Sequence, residues 1–104
     1  MRIARQSIVR PLAGQSPRVE KLLDELDANY AKLPGYILGF RYRPELNKAQ
    51  LGRIAVWRSQ EDANHAAMNT HIQSIRAQIN TLVEEGHTEL VLEIEGTPQN
   101  VPLG

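Results

Sequence analysis

The sequence predicts an α+β domain of βαββαβ order, a four-stranded antiparallel sheet with two helices on one face. Three observations carry that prediction. Four stretches show the period of two that sends alternate side chains to opposite faces of a strand. Two others repeat apolar residues at the three- and four-residue steps of a helix, and turn-forming Pro and Gly separate these stretches. The chain has 104 residues, one domain's worth. Residues 1–96 are expected to form that domain and residues 97–104 a proline-containing tail.

The first strand is expected over residues 2–10, where Ile3, Ile8 and Val9 mix with polar residues, and it ends at Pro11 and the Ala13-Gly14 turn. Ser16-Pro17 reads as a helix start, with serine as cap and proline at the first helical position. Val19, Leu22, Leu23, Leu26 and Tyr30 then form one apolar stripe, opposite Glu20, Lys21, Asp24, Glu25 and Asp27. Leu33-Pro34-Gly35 stops the helix, because the residue before a proline is pushed out of helical geometry. Over residues 36–43, Tyr36, Leu38, Phe40 and Tyr42 alternate with Ile37, Gly39, Arg41 and Arg43, which predicts a strand whose aromatic side packs against the helices. A polar turn leads to a hairpin partner over residues 51–57. Ser59-Gln60-Glu61-Asp62 resembles a capping box and opens the second helix, with the stripe Met68, Ile72, Ile75, Ile79 and Leu82 and a stop at Glu85-Gly86. Leu90, Leu92 and Ile94 alternate with Glu89, Val91, Glu93 and Glu95 as the last strand. This order is the ferredoxin-like, split-βαβ arrangement. It leaves one sheet face for water, a ligand or a partner.

Composition excludes several classes. The sequence has 12 basic and 12 acidic residues, so it lacks the basic excess of a dedicated nucleic-acid binder. RNA binding on the sheet face would need aromatics on strands one and three to stack bases, and those strands offer only Trp57. With no cysteine there is no disulfide or thiolate metal site, which fits a cytoplasmic protein. The start, MRIARQSIVR, has neither a secretory signal pattern nor a membrane span. The zero charge is uneven. Residues 1–58 hold eleven Lys/Arg against five Asp/Glu, and residues 59–104 hold Arg76 against seven acids.

Leu33-Pro34-Gly35 before strand two, Val56-Trp57-Arg58-Ser59 closing strand three, and Ala63, His65 and His71 on the following helix together resemble the antibiotic biosynthesis monooxygenase-like family of dimeric α/β barrels. The resemblance spans most of the chain. It implies a homodimer whose two sheets pack face to face, with a cleft between sheet and helices in each subunit. Some members are oxygenases needing neither metal nor flavin, some degrade haem, and many have no assigned activity. The haem-degrading pattern adds an asparagine on strand one and a histidine on the second helix. Gln6, Ser7 and Ala67 stand there instead, so no haem and no other cofactor is expected. In this family strand two of one subunit lies near strand four of the other, which suggests that Arg41 and Arg43 pair with Glu93 and Glu95 across the dimer. The plainer alternative is that both rows are solvated edges that discourage aggregation.

Trp57, the lone tryptophan, is a core residue by its place on an apolar strand. The resemblance adds a role as a wall of the cleft. His65 and His71 are six residues apart, about 120° around a helix at 100° per residue, so they cannot share one metal, and no metal site is expected. Both fall on the margins of the apolar stripe, where an imidazole can act as acid or base. Asn69 shares a face with His65 and, like Asn64, can donate to a substrate oxygen. Arg53 lies on the same strand face as Trp57, where some family oxygenases have asparagine; it can hold a substrate anion or extend to solvent. A Tyr36 hydroxyl in the cleft can orient a phenolic substrate, and His87 reads as a loop residue.

Two functions follow. One is a cofactor-independent monooxygenase acting on a small aromatic, quinol or enol-type molecule, with His71 or His65 as base, Arg53 or an asparagine on the anion, and Trp57 as apolar wall. The other is a non-catalytic homodimer that binds a small molecule or a protein.

Overall fold

The computed structural model describes residues 1–96; the tail expected over residues 97–104 lies outside the described residues. The elements are β1 (Ile3–Val9), α1 (Ser16–Tyr30), β2 (Tyr36–Tyr42), β3 (Leu51–Trp57), α2 (Gln60–Ala67), α3 (Thr70–Asn80) and β4 (Thr88–Glu93). The sheet order is β2-β3-β1-β4, antiparallel throughout, as the ferredoxin-like arrangement requires. Among the described residues no helix is long and apolar enough to cross a membrane.

The helical core is built from the expected stripes. Val19, Leu22, Leu23, Leu26 and Tyr30 of α1 meet Ile72, Ile75 and Ile79 of α3 over Ile3, Val9, Leu51, Ala55 and Trp57 of the sheet. Its end is closed where Pro11 bridges Val83, with Leu12 N donating to Leu82 O at 2.9 Å and Glu84 N to Arg10 O at 2.8 Å. The α1 ladder begins one residue before the expected serine cap. Gln15 O already accepts from Val19 N at 2.9 Å, and Gln15 takes the cap position without a side-chain bond.

Two expectations need correction. The second helix is not continuous. It breaks after Ala67, and Asn69 caps a new helix by accepting from the backbone N–H of His71 (2.9 Å) and Ile72 (3.1 Å). Met68, expected in the apolar stripe, falls at the break and is exposed, and α3 closes at Asn80 rather than at Gly86. The expected cap at the front of this unit does form, with Asp62 N donating to Ser59 Oγ at 3.1 Å.

The second correction concerns β2. Tyr36 faces Trp57 and Leu38 faces Val56, so Ile37 is an extra residue, a bulge that reverses the alternation. Tyr36, Gly39 and Arg41 therefore lie on the helix side. Leu38, Phe40 and Tyr42 lie on the open side, not against the helices as expected. Gly39 makes this possible, since a side chain there would collide with the Tyr36 hydroxyl. On the open face these residues join Ile8, Ile54, Val56, Leu90 and Leu92.

Candidate active site: the sheet–helix cleft

On the helix-covered face the strand pattern is apolar at both ends and polar in the middle. In β1, Arg5 and Ser7 stand between Ile3 and Val9; in β3, Arg53 stands between Leu51 and Ala55. Ser7 is registered with Arg53, and Glu89 of β4 with Ser7. The polar residues thus form a band across the sheet beneath α1 and α3. A cavity of about 190 Å³ opens there, lined by Arg5, Ser7, Tyr30, Arg53, Arg76 and Val91 among others. A smaller extension of about 40 Å³ shares Ser7, Arg53, Arg76 and Glu89 and adds His87.

Arg53 is the buried charge of this site, only 6% exposed. Its Nε donates to Asp27 Oδ1 of α1 at 2.8 Å, and its Nη2 lies 2.7 Å from the same oxygen without the alignment of a hydrogen bond. Its guanidinium stacks over the Tyr30 ring, 4.8 Å from the centroid. Tyr30 in turn meets Trp57 edge to face at 5.5 Å, and Tyr36 meets the other side of Trp57 at 5.5 Å. Trp57 is therefore a core residue that braces a cleft wall, and it is not itself among the lining side chains. Burial beside Trp57 raises the Tyr36 pKa above the ordinary phenol value; the Asp27 carboxylate adds to the rise and Arg53 opposes it.

Arg5 differs from the other two arginines. Its Nη2 donates to Asn64 Oδ1 at 2.5 Å and its Nη1 to Ala63 O at 3.5 Å, both neutral acceptors on α2, and its Nε is buried without a partner. Arg76 of α3 is neutralised by Glu89 at 3.1 Å, and the same Glu89 oxygen lies 3.3 Å from His87 Nε2.

Of the six side chains expected to act at a site, Arg53 is the one that lines this cleft. His65 and Asn69 line a separate groove of about 320 Å³ with Leu33, Pro34 and Met68. Asn69 spends its oxygen on the α3 cap, and His71 is exposed at the start of that helix. Tyr36 and Trp57 stand behind the wall. The histidine that the fold does bring to this region is His87, which lines the smaller extension with Glu89. The edge arginines Arg41 and Arg43, expected to meet a partner's strand four, have acidic neighbours within their own subunit. Arg41 binds Asp24 (2.8 Å) and Glu20 (3.2 Å), and Arg43 binds Glu20 (2.6 Å), all on α1 of the same chain. The Asp24 bond holds the Arg41 pKa above its usual value.

Arg5, Tyr30, Arg76 and Glu89 were not singled out from sequence. The available signal was the polar interruption of β1 between apolar ends, which is costly on a helix-covered face unless a site needs it. Among the described residues no cluster of three potential ligand side chains could hold a metal ion.

No protein-family model and no curated protein matches this sequence. Solved structures do match its fold. SnoaB from Streptomyces nogalater, a cofactor-independent oxygenase, superposes with a TM-score of 0.80 at 14% identity, over 92% of this chain and 95% of that one. Rv0793 from Mycobacterium tuberculosis gives 0.85 at 18% identity, over 93% and 98%. A putative antibiotic biosynthesis monooxygenase from Nitrosomonas europaea gives 0.82 at 8%, over 93% and 94%. The chain thus has the ferredoxin-like fold of the antibiotic biosynthesis monooxygenases and SnoaB-like proteins. At these identities the likeness is one of fold, and function has to be argued from the cleft.

Proposed function

We propose that the protein is a cofactor-independent monooxygenase acting on a small aromatic, quinol or enol-type molecule in the sheet–helix cleft. The observation that carries this reading is the buried Arg53 guanidinium, stacked on Tyr30 and lining a cavity large enough for a ring. Such a reaction removes a proton from an activated C–H or O–H group and leaves an electron-rich anion that reacts with dioxygen. One oxygen atom becomes the new carbonyl of a former CH₂ group and the other leaves as water, with all electrons supplied by the substrate. Arg53 stabilises the anion from a buried position, where a fixed charge acts more strongly than in water. Glu89, positioned by Arg76 and His87, is the carboxylate placed to take the proton.

Two copies are proposed to pack through their open sheet faces. Phe40 is 52% exposed there, Leu90 45% and Leu92 41%, and these adjoin Leu38, Ile54 and Val56 in one apolar surface. A face of that kind is what a partner surface covers.

The test is dioxygen uptake with a panel of hydroquinones and enolisable naphthols, without added metal or flavin. Uptake that falls in Arg53→Met and Glu89→Gln supports the proposal. Saturable binding with no uptake from any member would overturn it in favour of a non-catalytic small-molecule binder. The second reading has one observation of its own, the absence of His65 and His71 from the cleft lining.

A further inference from the structure

Among the arginines of the cleft, two have carboxylate partners. Arg53 has Asp27 and Arg76 has Glu89. Arg5 meets neutral oxygens on Asn64 and Ala63, and its buried Nε has no acceptor. The cleft therefore carries one surplus positive charge, located at Arg5. A buried guanidinium N–H without an acceptor is expensive, because its lost hydration is not replaced. Arg53 Nη2, by contrast, lies 2.7 Å from Asp27 Oδ1 and has its counter-charge beside it. The unmatched donor and the surplus charge, both at Arg5 and both on the lining of one cavity, point to an acceptor that arrives with the ligand.

We infer that the ligand is a single-ring aromatic or enolic acid, whose carboxylate is held by Arg5 while its ring lies against Tyr30, Leu26 and Val91. The charge count selects a monoanion. A carboxylate matches the planar fork of a guanidinium, which binds it with two parallel hydrogen bonds. Volume sets the size, since a cavity of about 150 Å³ already takes up benzene, and this one measures about 190 Å³. The inference deepens the proposed function by naming a substrate class, and it rests on the same cleft being the ligand site.

Isothermal titration of the full chain with para-hydroxybenzoate, para-hydroxybenzamide and phenyl phosphate as probes tests it. The acid should bind roughly 10- to 100-fold more tightly than the amide, the difference a hydrogen-bonded charge confers. Arg5→Met should erase that gap, and Arg5→Lys, which keeps the charge but loses the fork, should retain part of it. Equal binding of acid and amide overturns the inference, as does a gap that survives in Arg5→Met or a preference for the phosphate dianion. Should Arg5→Met fail to fold, the comparison of acid, amide and phosphate on the native chain with the Arg5→Lys result still decides. Carboxylate preference without dioxygen uptake upholds this inference and overturns oxygenation. Uptake with neutral quinols and no carboxylate preference does the reverse.

Discussion

Arg53 Nε on β3 donates to Asp27 Oδ1 on α1 at 2.8 Å, so one ion pair both ties helix to sheet and fixes the charged floor of the cleft. Both side chains are largely buried, at 8% and 16% exposure. Removing one partner strands the other charge, so Asp27→Ala should lower unfolding free energy by about 3 kcal/mol. The paired change Asp27→Leu/Arg53→Met should cost much less. Urea denaturation of the two variants checks this, and equal losses would mean that the pair contributes little beyond packing.

Asn69 is placed as a helix cap. Asn69→Ala should destabilise the fold by about 1 kcal/mol, whereas Asn69→Asp or Asn69→Ser, which keep an oxygen for the His71 and Ile72 N–H groups, should lose little. Thermal melts compare the three. A large effect on ligand binding with no effect on stability would instead restore Asn69 as a substrate contact.

Tyr36 should make stability sensitive to alkali. Its folded pKa is raised, chiefly by burial, so the neutral phenol is favoured in the fold. That contribution is fully present below the unfolded value of about 10 and is lost as pH rises through the folded value. Denaturation midpoints on the two sides of pH ~10 should fall less steeply in Tyr36→Phe than in the native chain. Identical slopes would contradict the assignment.

The edge arginines stabilise the subunit itself. Arg41→Glu sets a like charge beside Asp24 and Glu20 of α1 and should cost about 1 kcal/mol, more than one exposed pair is worth because two acids are affected. Asp24→Arg in the same chain should recover part of it. Sedimentation should show the same species throughout; an oligomer lost on Arg41→Glu alone would support pairing between subunits instead.

The element order was legible because period-two and 3.6-residue patterns, Pro34-Gly35 and the Ser59 cap all act locally. The sequence signals failed where one residue reverses a pattern. The Ile37 bulge leaves Tyr36 on the helix side and sends Leu38, Phe40 and Tyr42 to the other, and period counting assumes no such insertion. The break at Met68 was hidden because Asn69 reads equally well as an exposed helix residue and as a cap. The place of Arg53 on the Trp57 face was legible, and with it its position on the cleft lining. Its partner Asp27 was not, because 26 positions separate them. His87 was passed over because a loop residue reveals its neighbours only once β4 pairs with β1 and sets Glu89 next to it.

On the reading proposed above, the ligand sits in the Arg5–Arg53 cleft and not in the groove beside His65. Mapping amide and arginine Nε–H chemical shifts during titration with para-hydroxybenzoate tests it most directly. Saturable shifts are expected at Arg5, Ser7, Arg53 and Val91, with Leu33, His65 and Met68 unmoved. Shifts confined to Leu33, His65 and Met68 would contradict it.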